Sequence, residues 1–174
     1  MAGPVGGEWR TLRQKCGLRL QVWAVGKRHE SYVREGVEDF TGRLRHYFPL
    51  EWHIIPVPKH AGMLSEADLR MAEARTILDW IRPEDHLVAL DESGPQLDSE
   101  GLAAFLGARA GDATKRVVFL IGGAFGLDAS VLRRADTVWS LSRLTFPHQL
   151  VRLILAEQLY RACTILRREK YHHR

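Results

Sequence analysis

Two short segments carry the chemical possibilities of this chain. GGAFG (122–126) is a glycine-rich turn that follows directly on the apolar run RVVFLI (116–121). RLTFPHQ (143–149) is a loop with an apolar centre, Leu144 to Pro147, that leads into a long helical stretch. A glycine turn presents main-chain amides, and an apolar loop offers walls for a flat ring. Together they could hold an adenosine-like group by stacking and backbone hydrogen bonds. The plainer reading of such a turn is a turn and nothing more. Other templates fail. G-G-x-x-G late in the chain is not the G-x-G-x-x-G of a dinucleotide site, and neither a GK[ST] phosphate loop nor a G-x-S-x-G nucleophile elbow occurs. The histidines lack H-E-x-x-H spacing, so no catalytic metal is expected.

Charge is concentrated at one end. Within 161–174, five cations (Arg161, Arg167, Arg168, Lys170 and Arg174) face one anion, Glu169, and so account for the whole formal net charge of +4. A basic tail carrying His172 and His173 suits a polyanion such as nucleic acid. It equally fits a solvated helix end, where cations offset the helix dipole. Cys16 and Cys163 stand far apart and form neither a disulfide framework nor a zinc site, which fits reduced thiols in a cytoplasmic protein. With 174 residues, 45% apolar and 26% charged, one globular domain is expected. No apolar run approaches the ~20 residues that span a bilayer.

The elements that must position these segments alternate strand and helix. LRLQVWAV (18–25), LEWHIIPV (50–57), HLVALD (86–91), RVVFLI (116–121) and TVWSLS (137–142) read as strands. Helical spacing of Val33, Val37, Phe40 and Leu44 predicts a helix over 30–47. Ser65 caps a second helix to Ile81, with Leu69, Ala72, Ile77 and Trp80 facing inward. Ser99 caps a third, ended by Gly111; a short helix covers 128–135 and a long one runs from about Gln149 to Arg168. The run RVVFLI is apolar almost throughout, as in strands buried on both faces of a parallel sheet. The fold class is therefore α/β, a single domain around a mostly parallel sheet. Ligands on such sheets bind beyond the carboxyl ends of the strands. That rule points to Leu90-Asp91, the glycine turn, and Leu141 to Phe146.

Residues 1–17, with Gly and Pro at their start, read as a disordered extension without the continuous apolar stretch of a secretory signal. The domain is expected over 18–174. The last helix is apolar most of the way round, from Leu150 to Leu166, so it needs partners on most sides. A homodimer interface supplies one such partner; a central position in a monomer is the alternative.

IGGAFGL (121–127), WSLSRLTFPHQLVRLILAEQLYRA (139–162) and the terminal EKYHHR, with LRLQVWAVGK and LVALDESG (87–94) before them, resemble the RlmH family of SPOUT-class methyltransferases. The resemblance runs from Leu18 to Arg174. It implies an α/β fold with a C-terminal trefoil knot and a cytoplasmic homodimer whose site uses both subunits. The activity implied is methylation of N3 of a pseudouridine in large-subunit ribosomal RNA, with S-adenosylmethionine as donor; separately, one short tail in so small a chain cannot read much RNA sequence, so the assembled ribosome is the expected substrate. Metal and membrane play no part. Carried over by motif, the donor site is Leu90, Gly122, Leu141, Ser142, Arg143, Leu144, Thr145 and Phe146. These fall at the three strand ends reached above. Two other readings compete: a different SPOUT-class methyltransferase of ribosomal or transfer RNA, and a non-catalytic ribosome-associated RNA-binding factor.

The target nitrogen of a uracil-like ring is a poor nucleophile until its proton leaves. The candidates for this chemistry are His148, Arg152, Tyr171 and His172. A histidine at a helix amino end leans toward neutral and can accept a proton; it can also simply hydrogen-bond the loop. Arg152, one turn on, could hold a phosphate or the ring's carbonyl charge, or be buried against Glu157 or Asp91. Tyr171 and His172, on the basic tail, could contact the base across a dimer, or belong to a frayed terminus.

Overall fold

The run RVVFLI becomes β4 (Arg116–Ile121), whose last five residues are all buried, in the middle of a five-stranded sheet. The computed structural model describes residues 17–171. Residues 1–16, and with them most of the expected extension, lie outside the described residues, as does the end of the tail, His172 included. The other strands are β1 (Arg19–Val25), β2 (Leu50–Ile55), β3 (His86–Leu90) and β5 (Thr137–Trp139). Their order is β2-β1-β4-β3-β5, and every pairing is parallel. Val22 of β1 and Val88 of β3 both pair with Phe119 of β4.

Side chains alternate across the sheet and split the core in two. Leu20, Val22, Ala24, Val88, Val117 and Phe119 pack against helices α1 (Ser31–Leu44), α3 (Ser99–Gly111) and α5 (His148–Leu166). Trp23, Val25, Leu87, Ala89, Val118 and Leu120 pack against α2 (Glu66–Trp80) and α4 (Ala129–Arg134). This is the three-layer solution for a parallel sheet. No described helix is long and apolar enough to cross a membrane.

Four local expectations are corrected. Trp80 is 43% exposed and lies edge-on to Trp23 rather than in the core, and Ala72 is only half-buried. The inward positions of α2 are Leu69, Glu73, Ala74 and Ile77. Asp98, not Ser99, caps α3, its side chain accepting from the Gly101 amide. The last strand ends at Trp139, and residues 140–142 belong to the loop.

The chain leaves β5 against the connection that follows β3. The Asp91 amide donates to the Trp139 carbonyl at 3.1 Å, and the Ser140 amide to the Pro95 carbonyl at 3.0 Å. Gly94 lies flat on β5: a Cβ there would come within 2.8 Å of the Val138 and Trp139 main chain. Backbone cannot move aside cheaply, so Gly94→Ala should lower stability by about 2 kcal/mol, read from the urea midpoint. From this crossing α5 returns to the central face and packs between α1 and α3. Its inner side (Leu155, Ala156, Leu159, Ala162, Cys163) is fully buried, whereas Leu150, Val151, Ile154 and Ile165 are only partly covered.

Candidate active site

The carboxyl ends of β3, β4 and β5 open into one cleft of about 680 Å³, within the ~300–1,000 Å³ usual for small-molecule sites. Three connections build it. Leu90 ends β3; the glycine turn follows β4; residues 140–146 follow β5. The turn closes through the Gly126 amide, which donates to the Gly123 carbonyl at 3.2 Å, with Gly126 at φ +78°. The 140–146 loop is pinned from within: Ser140 Oγ donates to the Ser142 carbonyl at 3.0 Å, and Ser142 Oγ accepts from the Leu144 amide at 2.9 Å.

Leu90, Gly122, Leu141, Ser142, Arg143, Leu144, Thr145 and Phe146 all line this cleft. Leu90, Leu141, Phe146 and Val151 are half-buried and form its apolar walls. Leu144, expected as a wall, is 71% exposed and stands at the rim. Among the described residues no group of three or more side chains could hold a metal.

His148 opens α5 and lines the same cleft. No hydrogen bond among the described residues engages its ring. Burial first, and the Arg152 guanidinium second, hold its pKa below the ordinary histidine value, with Glu30 acting weakly the other way. The neutral form therefore follows from these causes, whereas the helix amino end was the cause expected from sequence. Gln149, which sequence reasoning missed, fixes this end of α5. Its side chain accepts from the Glu30 amide and donates to the Arg28 carbonyl, each at 3.2 Å.

Arg152 corrects the expectation of a phosphate or ring contact. It has no exposed surface and does not line the cleft. Neither does it pair with Glu157 or Asp91. Its guanidinium donates to the carbonyls of Lys27 (2.8 Å) and Val25 (3.4 Å), at and beyond the end of β1, and lies 3.4 Å from His29 Nδ1. Gly26, at φ +120°, lies beside this guanidinium; a Cβ there would be in ordinary contact with it at 3.7 Å and with His148 Nε2 at 4.0 Å, so the requirement for glycine is conformational. Only glycine adopts that backbone without strain. Arg152→Ala should leave both carbonyls without a partner and open a void, lowering unfolding free energy by roughly 3 kcal/mol, measured by urea denaturation.

Tyr171 is not at the cleft of its own chain. Its hydroxyl donates to Glu157 Oε1 at 3.2 Å, its ring meets Tyr160 at 4.8 Å, and the Arg161 guanidinium lies over it at 5.0 Å. The tail thus folds back on α5, steadied by Glu169, which accepts from the Tyr47 hydroxyl.

Comparison with known proteins agrees with this architecture. The family described as "Predicted SPOUT methyltransferase" matches residues 18–172. A protein of Geobacter metallireducens named ribosomal RNA large subunit methyltransferase H is 46% identical over 156 residues, covering 90% of this chain and 99% of its own length. A protein of the same name from Cytophaga hutchinsonii is 40% identical, covering 90% and 100%. The crystal structure of a probable methyltransferase from Bordetella pertussis Tohama I shares the fold, with a TM-score of 0.51 at 13% identity over 88% of this chain and 99% of that one. The match over nearly the whole described chain, on a parallel sheet whose cleft sits at its strand ends, makes this chain a member of the SPOUT methyltransferase family.

Proposed function

We propose that this protein methylates N3 of a pseudouridine in large-subunit ribosomal RNA, with S-adenosylmethionine as donor, acting as a cytoplasmic homodimer on the assembled ribosome. The observation that carries the reading is one cleft that gathers all eight expected donor-binding residues and His148. The cleft suits the donor: half-buried Leu90, Leu141, Phe146 and Val151 accept a flat ring, and the glycine turn brings main chain close without side-chain bulk. When bound, S-adenosylmethionine supplies a methyl group on a sulfonium, which is all the electrophilic activation the reaction needs.

The chain's own residues supply alignment and proton removal. His148 is the proton acceptor: its imidazole is unengaged and kept neutral, so it can take the proton from the ring nitrogen as that atom becomes a nucleophile. Arg152 is a positioning residue, holding the end of β1 beside His148 and disfavouring the imidazolium. Tyr171 and His172 contact the target base in the partner copy's cleft. In support, Tyr171 lies beside Glu157, one turn from Ile154 on the partly covered side of α5, so a second copy seated there meets the tail. The trefoil knot belongs to the crossing of the 91–97 connection with the chain leaving β5.

The test is methylation of ribosomes from a strain lacking the enzyme, with mass mapping of the product nucleotide. Methyl incorporation at a single pseudouridine is expected. Incorporation at any other nucleotide, or equal methylation of naked ribosomal RNA, overturns the target or the ribosome requirement. Sedimentation as a monomer overturns the shared site.

A further inference from the structure

Glu73 is a largely buried acidic residue, its carboxylate retaining a little exposed surface, that the mechanism above leaves unused. It lies on the inner face of α2, one turn after Arg70, and is 5% exposed. No hydrogen bond or ion pair among the described residues engages it. Its carboxylate presses instead on the glycine turn: a Cβ on Gly123 would lie 2.7 Å from Oε2 and 2.8 Å from Oε1. Gly123 lines the cleft, so the carboxylate packs directly against a segment of the cleft wall that carries no side chain.

The other acids of the cleft differ. Asp91 is spent on the Ser93 amide and hydroxyl, Asp128 on the same groups of Ser130, and Glu92 is exposed. Exposed charges are screened by water and salt, whereas a buried one acts at reduced dielectric. A carboxylate partly withdrawn from water without a partner is disfavoured, and this burial raises its pKa above the ordinary carboxyl value. A cation in the cleft reverses that preference by stabilising the ionised form. Arg70, one turn before Glu73 on α2, also lines the cleft, and its own charge repels a cationic ligand there.

We propose that Glu73 gives the cleft its preference for charge, favouring the sulfonium donor over the neutral thioether that remains after methyl transfer. The proposal rests on the methyltransferase reading above. It makes Glu73 a positioning and specificity residue: the group that draws the cationic donor in has no hold on the uncharged product.

The experiment is calorimetric titration of the full chain with S-adenosylmethionine and, separately, S-adenosylhomocysteine, for the wild type, Glu73→Gln and Glu73→Asp. Glu73→Gln should weaken S-adenosylmethionine by about fivefold or more and leave S-adenosylhomocysteine within about twofold, with no fall in Tm. Glu73→Asp, which keeps the charge, should retain the preference. Equal weakening of both ligands, or of neither, overturns the proposal. A wild-type chain that binds neither ligand overturns the methyltransferase reading itself.

Discussion

His148→Ala lowers the single-turnover methylation rate by about 100-fold or more, the range for loss of a general base, while S-adenosylmethionine affinity stays within a few-fold. The split follows from position. The cleft's walls come from the ends of β3 and β4 and from the 140–146 loop, and the imidazole adds to them only at the first turn of α5. Rapid-quench kinetics with donor in excess measures the rate, and calorimetry the affinity. An unchanged single-turnover rate removes His148 from the mechanism. The pH profile carries the same information. His148 must be neutral to accept a proton, and burial with Arg152 depresses its pKa. Activity should therefore fall only as pH drops through a midpoint below the ordinary histidine value, and this acid limb should vanish in His148→Ala.

Deleting residues 169–174 should abolish ribosomal RNA methylation while the proposed dimer, the fold and S-adenosylmethionine binding persist. The deletion removes Tyr171 and His172 together with Lys170 and Arg174. It cuts just past α5, whose buried side is complete at Leu166. Within the chain it breaks peripheral interactions, chiefly those of Glu169 with Tyr47 and of Tyr171 with Glu157. Methyl incorporation into ribosomes at saturating donor reads the activity, with sedimentation and thermal melting as controls. Normal methylation by the shortened chain would make the tail a solubility feature.

The alternation of strands and helices was legible because β4 is apolar after its first residue and because α1 repeats Val33, Val37 and Leu44 on one side. That the cleft lies at the strand ends was legible from a topological rule, and the residues that the resemblance implied for the donor line it. What stayed hidden depends on interactions between distant parts of the chain. Arg152 finds its carbonyls more than 120 positions away, and Gln149 reaches Glu30 and Arg28 across a similar gap. Their only local signal was a glycine after β1 and a glutamine after His148. Glu73 was missed for a different reason. Helical spacing treats a carboxylate as outward-facing, so Ala72 and Trp80 were placed inward in preference to Glu73 and Ala74.

The crossing between the 91–97 connection and the chain leaving β5 bears on biosynthesis. Everything that completes the pocket, from Ser140 through the first turn of α5, is translated after the five strands whose ends it closes over. Until then Leu155, Leu159 and Ala162 have not reached the sheet, and Val22 and Phe119 face an uncovered groove. Closing the core and completing the pocket are thus a single event, the docking of the last helix on the sheet.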